Sequence, residues 1–93
     1  MNNWNNIKIN DCIYSGKLTE YGQPVEGTIE WKVKQVKEKK DKYISGIRVI
    51  VENYTYGDYN FFLPFWKLND NESHTVYFYN EDKSKKYLTI ISL

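Results

Sequence analysis

Apolar and polar residues alternate strictly in one stretch of the chain. Every second residue from position 25 to position 33 is apolar or glycine, and every residue between them is polar. A period of two is the signature of a strand with one buried face, so the pattern predicts a strand over Val25–Val36 with Trp31 pointing into the core. Val36 falls out of phase with this alternation, so we expect the strand to end or bulge near Gln35.

Four further segments carry strand patterns, and polar or turn-forming residues separate them. The predicted strands are Ile7–Ser15, Tyr43–Thr55, Thr75–Asn80 and Lys86–Ser92. Residues 47–51 are apolar on nearly both faces, which is typical of a central strand, and Gly46 before them predicts a bulge or bend. The lysine-rich segment 37–42 is predicted to be a hairpin loop.

The segment 56–73 allows two interpretations. Tyr59–Leu63 can form a strand that Pro64 ends, since proline cannot donate to the sheet. Alternatively, Pro64 begins a helical turn that runs to Leu68, because proline suits the first position of a helix. Residues 69–73 are predicted to be a loop.

Composition moves the fold class firmly to all-β. The chain has no alanine and only five leucines, whereas β-branched and aromatic residues supply 36 of its 93 positions. Such side chains fit the pleated surface of a sheet. We therefore predict one β domain over residues 1–93, built as a small antiparallel barrel or strongly bent sheet of five to six strands. A short helical turn near residues 64–68 would allow an OB-like order by analogy of topology.

Several function classes are disfavoured by what the sequence lacks. With one cysteine and one histidine, Cys12 and His74, it falls short of the four Cys or His ligands of a structural zinc site and of the usual three of a catalytic one. The five glycines are isolated, so no phosphate-binding loop is present. We expect a non-enzymatic protein without metal or cofactor. The absence of an apolar run and of a secretory signal, together with the single thiol, predicts a cytoplasmic protein that avoids membranes.

Charge is distributed unevenly although the net charge is only +1. Residues 32–48 carry a net charge of +5, which defines a basic hairpin that can follow phosphates. The competing interpretation is a solvated hairpin whose lysines prevent sheet-to-sheet pairing, and an acidic protein surface is a third. The candidate nucleic-acid-binding residues are Lys32, Lys34, Lys37, Lys39, Lys40, Lys42 and Arg48.

Aromatic residues are concentrated in the following acidic segment. Seven of the thirteen residues from 54 to 66 are aromatic, more than a 93-residue barrel can bury beside its other aromatic residues. Exposed Tyr and Trp are what protein-binding hot spots use. The candidate protein-binding residues are Tyr54, Tyr56, Asp58, Tyr59 and Trp66.

These features predict a small binding protein that blocks a protein target sterically. Inhibitor-type proteins of this style include phage anti-defence proteins and toxin-immunity proteins, and the high lysine and asparagine content indicates AT-rich coding in a bacterium or phage. The alternative is a nucleic-acid-binding barrel that uses the basic hairpin. A weaker alternative is a structural subunit of an assembly. A homodimer in which the basic hairpin meets the acidic aromatic segment across a two-fold axis is also consistent with the charges.

Overall fold

The computed structural model describes residues 3–18, 24–69 and 71–93. Within these ranges the chain forms six strands and two 3-10 turns, and no helix there is long and apolar enough to cross a membrane. The 3-10 turns are Trp4–Asn6 and Phe65–Lys67. The strands are β1 (Cys12–Leu18), β2 (Pro24–Lys40), β3 (Ser45–Asn53), β4 (Gly57–Pro64), β5 (His74–Asn80) and β6 (Lys86–Ser92).

The strands close into an antiparallel barrel in which every strand neighbours the ones before and after it in the chain. β1 pairs with β6 and completes the ring. This confirms the predicted all-β barrel, and a short helical turn follows directly where Pro64 ends β4. The OB-like order is wrong, because an OB-fold is a Greek-key barrel. Consecutive strands pair with one another throughout this barrel, and the 3-10 turn follows the fourth strand rather than the third.

β2 is longer than the sequence predicted, and it carries the expected irregularity. Its pairing with β3 shifts register between Val33 and Gln35, and past this point Val36 packs against the core. The strand then continues to Lys40, so the loop predicted over residues 37–42 begins too early. Residues 37–40 are exposed, and they are extended because they pair with β3 rather than because one face is buried.

The first predicted strand, Ile7–Ser15, is wrong in its first half. β1 begins only at Cys12, because Asn10 adopts a left-handed backbone (φ 77°) that interrupts an extended chain. Ile7 is buried without belonging to a strand, and Ile9 is 56% exposed.

The segment before β1 instead plugs one end of the barrel. Trp4 is completely buried, and its indole N–H donates to the carbonyl oxygen of Glu72 over 2.8 Å. Its ring meets Phe61 edge to face, with centroids 6.3 Å apart. Because Glu72 precedes β5, the plug lies at the end where β5 begins, and we call this the plugged end.

Gly46 is required for a close approach between strands rather than for a bulge. The β3–β4 register runs without a shift from Gly46, opposite Pro64, to Asn53. A Cβ on Gly46 would contact the carbonyl oxygen of Leu63 and would lie 2.6 Å from Cζ of Phe62 and 2.7 Å from Cα of Pro64. Only glycine therefore fits here without moving the main chain of β4.

We expect Gly46→Ala to lower the free energy of unfolding by about 1–3 kcal/mol, because an extra methyl group forces neighbouring backbone to shift. Urea unfolding measures this change. Gly16→Ala is the matched control, since the nearest atom to its new Cβ is the carbonyl oxygen of Ile90 at 4.0 Å. Equal stability of the two variants would show that β4 yields at no cost.

Candidate binding surfaces

The barrel end opposite the Trp4 plug opens into an aromatic cavity of about 360 Å³. We call it the mouth pocket. The turn between β3 and β4 and the hairpin between β5 and β6 reach its rim through Tyr56 and Lys85. Its aromatic wall residues are Trp31, Tyr56, Tyr59, Phe78 and Tyr87.

The walls of the mouth pocket hold one another in place through ring contacts. The Trp31 centroid lies 5.4 Å from that of Tyr59 and 5.3 Å from that of Phe78, both edge to face. Tyr59 and Tyr87 are 5.9 Å apart. These distances are those of favourable aromatic pairs, so the pocket is formed before any ligand arrives.

Three polar groups of the mouth pocket are hydrogen-bonded within the barrel or kept neutral. The indole N–H of Trp31 donates to Oγ of Ser15 over 2.7 Å, and the Thr89 hydroxyl donates to the carbonyl oxygen of Gly16 over 2.6 Å. Burial, and then the neighbouring Tyr87 hydroxyl, raises the pKa of the Tyr59 phenol. Among the described lining residues, Lys85 at the rim is the charged one. The pocket therefore suits an uncharged, flat or aliphatic group.

A stiff turn presents Tyr54 beside the mouth pocket. The side chain of Asn53 accepts hydrogen bonds from the N–H groups of Thr55 (2.7 Å) and Tyr56 (3.0 Å), and it donates to the carbonyl oxygen of Glu30 (3.0 Å). Such local side-chain bonds fix a turn. Tyr54 is fully exposed at its tip, while Tyr56 leans toward Trp31 with centroids 6.3 Å apart.

The structure brings four of the five predicted protein-binding residues to this open end. Tyr54, Tyr56 and Asp58 lie on or next to the turn, whereas Tyr59 is only 8% exposed and forms pocket wall rather than outer surface. Trp66 is not with them. It is 73% exposed at the plugged end, where Lys67 Nζ lies 5.2 Å from its ring centroid.

The predicted nucleic-acid-binding residues divide into two groups along the strands. Lys32 and Lys34 lie among acidic residues near the open end, and Lys34 Nζ binds Asp58 Oδ2 at 2.7 Å. Lys37, Lys39 and Arg48 lie toward the plugged end, where Lys37 faces Arg48 across the β2–β3 pairing. Two other residues of this set have local partners, Lys40 with Glu38 (3.4 Å) and Lys42 with the Tyr43 ring (5.8 Å).

Sequence reasoning missed a set of outward aromatic residues beside Arg48. Tyr77 and Tyr79 alternate with the buried Val76 and Phe78 in β5, so they point outward. The period-two pattern of β5 was the signal that separates them from Phe78.

Cys12 and His74 occupy different environments. Cys12 is exposed, and its Sγ lies 3.6 Å from Oε1 of Glu30. Partial desolvation and then the Glu30 carboxylate raise the pKa of the thiol, which disfavours the reactive thiolate. His74 is buried against the Trp4 ring, with centroids 5.7 Å apart. Within the described ranges, no group of three or more His, Cys, Asp or Glu residues is placed to hold a metal ion.

Comparison of the chain with models of known protein families, with curated proteins and with solved structures finds no match in any of the three. The candidate surfaces therefore rest on geometry and chemistry alone.

We expect Glu30→Gln to accelerate alkylation of Cys12 by iodoacetamide severalfold at neutral pH. Removing the carboxylate lowers the pKa of the thiol, so a larger fraction is thiolate at a given pH. The pH dependence of the alkylation rate measures this shift. Glu38→Gln, which changes the same charge away from Cys12, should leave the rate unchanged, and an equal rate in both variants would contradict the assignment.

Proposed function

We propose that this chain is a non-enzymatic, cytosolic binding protein that blocks a protein target by covering part of its surface. Such a role is of the inhibitor type, as in phage anti-defence or toxin-immunity proteins. The observation that carries the proposal is the preformed aromatic mouth pocket with a fully exposed tyrosine, Tyr54, standing beside it.

The mouth pocket has the properties of a pocket that receives an anchor side chain. Hot spots of protein interfaces are large side chains that enter well-packed, water-excluding pockets. At about 360 Å³ it is at the small end of the range of ligand pockets. Because its walls are aromatic and Lys85 stands at its rim, the fitting anchor is an apolar or aromatic residue of the target rather than a cationic one.

Tyr54 supplies the complementary, protruding half of the proposed contact. A tyrosine offers a large rigid surface at a small cost in conformational entropy. The Asn53 hydrogen bonds already fix the turn that carries it. Binding of a target therefore costs little further conformational entropy in this turn.

The surroundings of the turn are acidic. Glu30, Glu52 and Asp58 line a depression next to Tyr54 on the outer face of β2–β4. Two lysines neutralise part of this charge: Lys32 lines the same depression, and Lys34 bonds with Asp58. A target surface that places cationic residues around an apolar anchor would complement this arrangement, and rim charges of this kind raise the association rate.

We expect Tyr54→Ala to weaken binding of the target by at least about 30-fold, which corresponds to the roughly 2 kcal/mol that defines a hot spot. The target is first captured with the tagged chain from a nuclease-treated lysate of the cells that express it. The dissociation constant is then measured for the purified pair by calorimetry.

Tyr43→Ala is the matched control, since Tyr43 is 89% exposed in the β2–β3 connection at the plugged end. It should bind like the unchanged chain. The proposal fails if no protein is retained in stoichiometric amount after nuclease treatment, or if Tyr54→Ala binds as tightly as Tyr43→Ala. Self-association of the purified chain at tens of micromolar, lost on reversing the charge of Asp58, would indicate the two-fold homodimer instead.

A further inference from the structure

We infer that the outer face of the barrel carries a second binding site, for single-stranded nucleic acid. It lies in a groove between β4 and β5, on residues other than those of the proposed protein contact. We call it the basic groove, and it is formed by Lys39, Arg48, Phe62, Lys67, Tyr77 and Tyr79.

The basic groove exists because β4 and β5 separate. They pair at Tyr59 with Asn80 and at Asn60 with Tyr79, close to the open end. Toward the plugged end, β4 runs into the 3-10 turn Phe65–Lys67 while β5 begins elsewhere at His74. The strands diverge and leave a depression of about 300 Å³ on the outer face.

Positive charge dominates the basic groove. Its described lining residues include Lys39, Arg48 and Lys67 and no acidic residue. Lys37 lies directly opposite Arg48 on the neighbouring strand and adds a further cation at its edge. Clustered cations of this kind bind a phosphodiester backbone by releasing its condensed counterions.

Arg48 is fixed in a position that suits phosphate binding. Its Nη1 donates to Oδ1 of Asn60 over 2.9 Å, and Asn60 Nδ2 donates in turn to the carbonyl oxygen of Tyr79 over 3.3 Å. The guanidinium carbon lies 5.6 Å from the centroid of the Phe62 ring. The Asn60 bond uses one of five N–H donors of the guanidinium, and the planar group is preorganised for a phosphate.

Aromatic rings stand where the bases of a bound strand would pass. Tyr77 is 48% exposed, and its ring centroid lies 6.5 Å from that of the half-buried Tyr79. Lys86 Nζ lies 4.4 Å from the Tyr77 centroid and 6.0 Å from that of Tyr79. Rings next to cations are the arrangement with which proteins bind single strands, by stacking bases and neutralising phosphates together.

The aromatic rings also favour a single strand over the other polyanions. In a duplex the faces of the bases are stacked on one another and cannot cover Tyr77 or Tyr79. The commonest specific contact to a base edge in a duplex is a bidentate one to guanine, for which the planar fork of arginine is suited, and the chain contains a single arginine. An acidic protein would use the cations but not the stacking surface.

The test is fluorescence anisotropy of the full chain with labelled 20-nucleotide dT and U strands at 50–200 mM KCl. For either strand we expect the logarithm of the association constant to fall linearly with the logarithm of the salt concentration, with a slope of about −0.7 per phosphate contacted. Tyr77→Ala should reduce affinity by about 5-fold or more with an unchanged salt slope, because it removes stacking. Arg48→Gln should reduce both the affinity and the slope.

Lys83→Gln is the matched control, because it removes one positive charge from an exposed position between β5 and β6, outside both the basic groove and the mouth pocket. Its affinity should stay within twofold of the unchanged chain. Lys86→Gln, at an exposed position, replaces Arg48→Gln if that variant loses its far-ultraviolet β signature.

Three results would overturn the inference. The first is equal affinity of Tyr77→Ala and Lys83→Gln for both strands. The second is a blunt duplex that binds as tightly as the single strands. The third is that polyglutamate competes with the strands at equal charge concentration and that its own binding is unaffected by Tyr77→Ala. This would indicate an acidic protein as the partner. None of these results bears on the Tyr54 experiment, so the two proposals fail independently.

Discussion

The pairing of β1 with β6 is the contact on which the other features of this molecule depend. It places Ser15 opposite Ile91 and Gly16 opposite Ile90, and the Thr89 hydroxyl adds a bond to the carbonyl oxygen of Gly16. Closure removes the two free edges that an open sheet would expose. It also fixes a narrow interior, since even eight strands enclose little more than their own side chains. Aromatic residues beyond those that fill this interior must therefore lie at its mouth or on its outer face, and these are the two places where the candidate surfaces occur.

The register shift between Val33 and Gln35 determines which residues of the second half of β2 face the core. In a β2 without this shift, every second residue after Trp31 and Val33 would continue to face the core. Val36 would then point outward and Lys37 inward. The register shift restores Val36 to the core and sets Lys37 opposite Arg48 on the outer face. One additional residue in one strand therefore protects the core and assembles the edge of the basic groove.

The sequence correctly predicts the strands that have one buried face. It fails where a residue is buried without belonging to a strand. β6 has the predicted bounds, and β3 lies within its predicted segment, because alternation or a continuous apolar run marks them. The start of β1 was wrong because Ile7 is buried next to the plug, and a buried residue of a cap gives the same signal as one of a strand. Trp66 and Tyr56 are close in sequence, but β4 runs between them and its eight residues span about 25 Å. Their short sequence distance therefore did not reveal that they lie at opposite ends of the barrel. The outward direction of Tyr77 follows from alternation, but its position beside Arg48 depends on the closed topology.

The charges on the outer face of β2–β4 change along the strands from a mixed set to a mainly basic one. Glu30, Glu52 and Asp58 stand beside Lys32 and Lys34 toward the mouth pocket, whereas Lys37, Lys39 and Arg48 lie toward the Trp4 plug. With a net charge of only +1, the attraction of this face to a polyanion is concentrated at its plugged end. A charged partner therefore exerts a torque as well as a force during approach. A polyanion therefore draws the plugged end of this face toward itself, so that orientation is selected before contact is made.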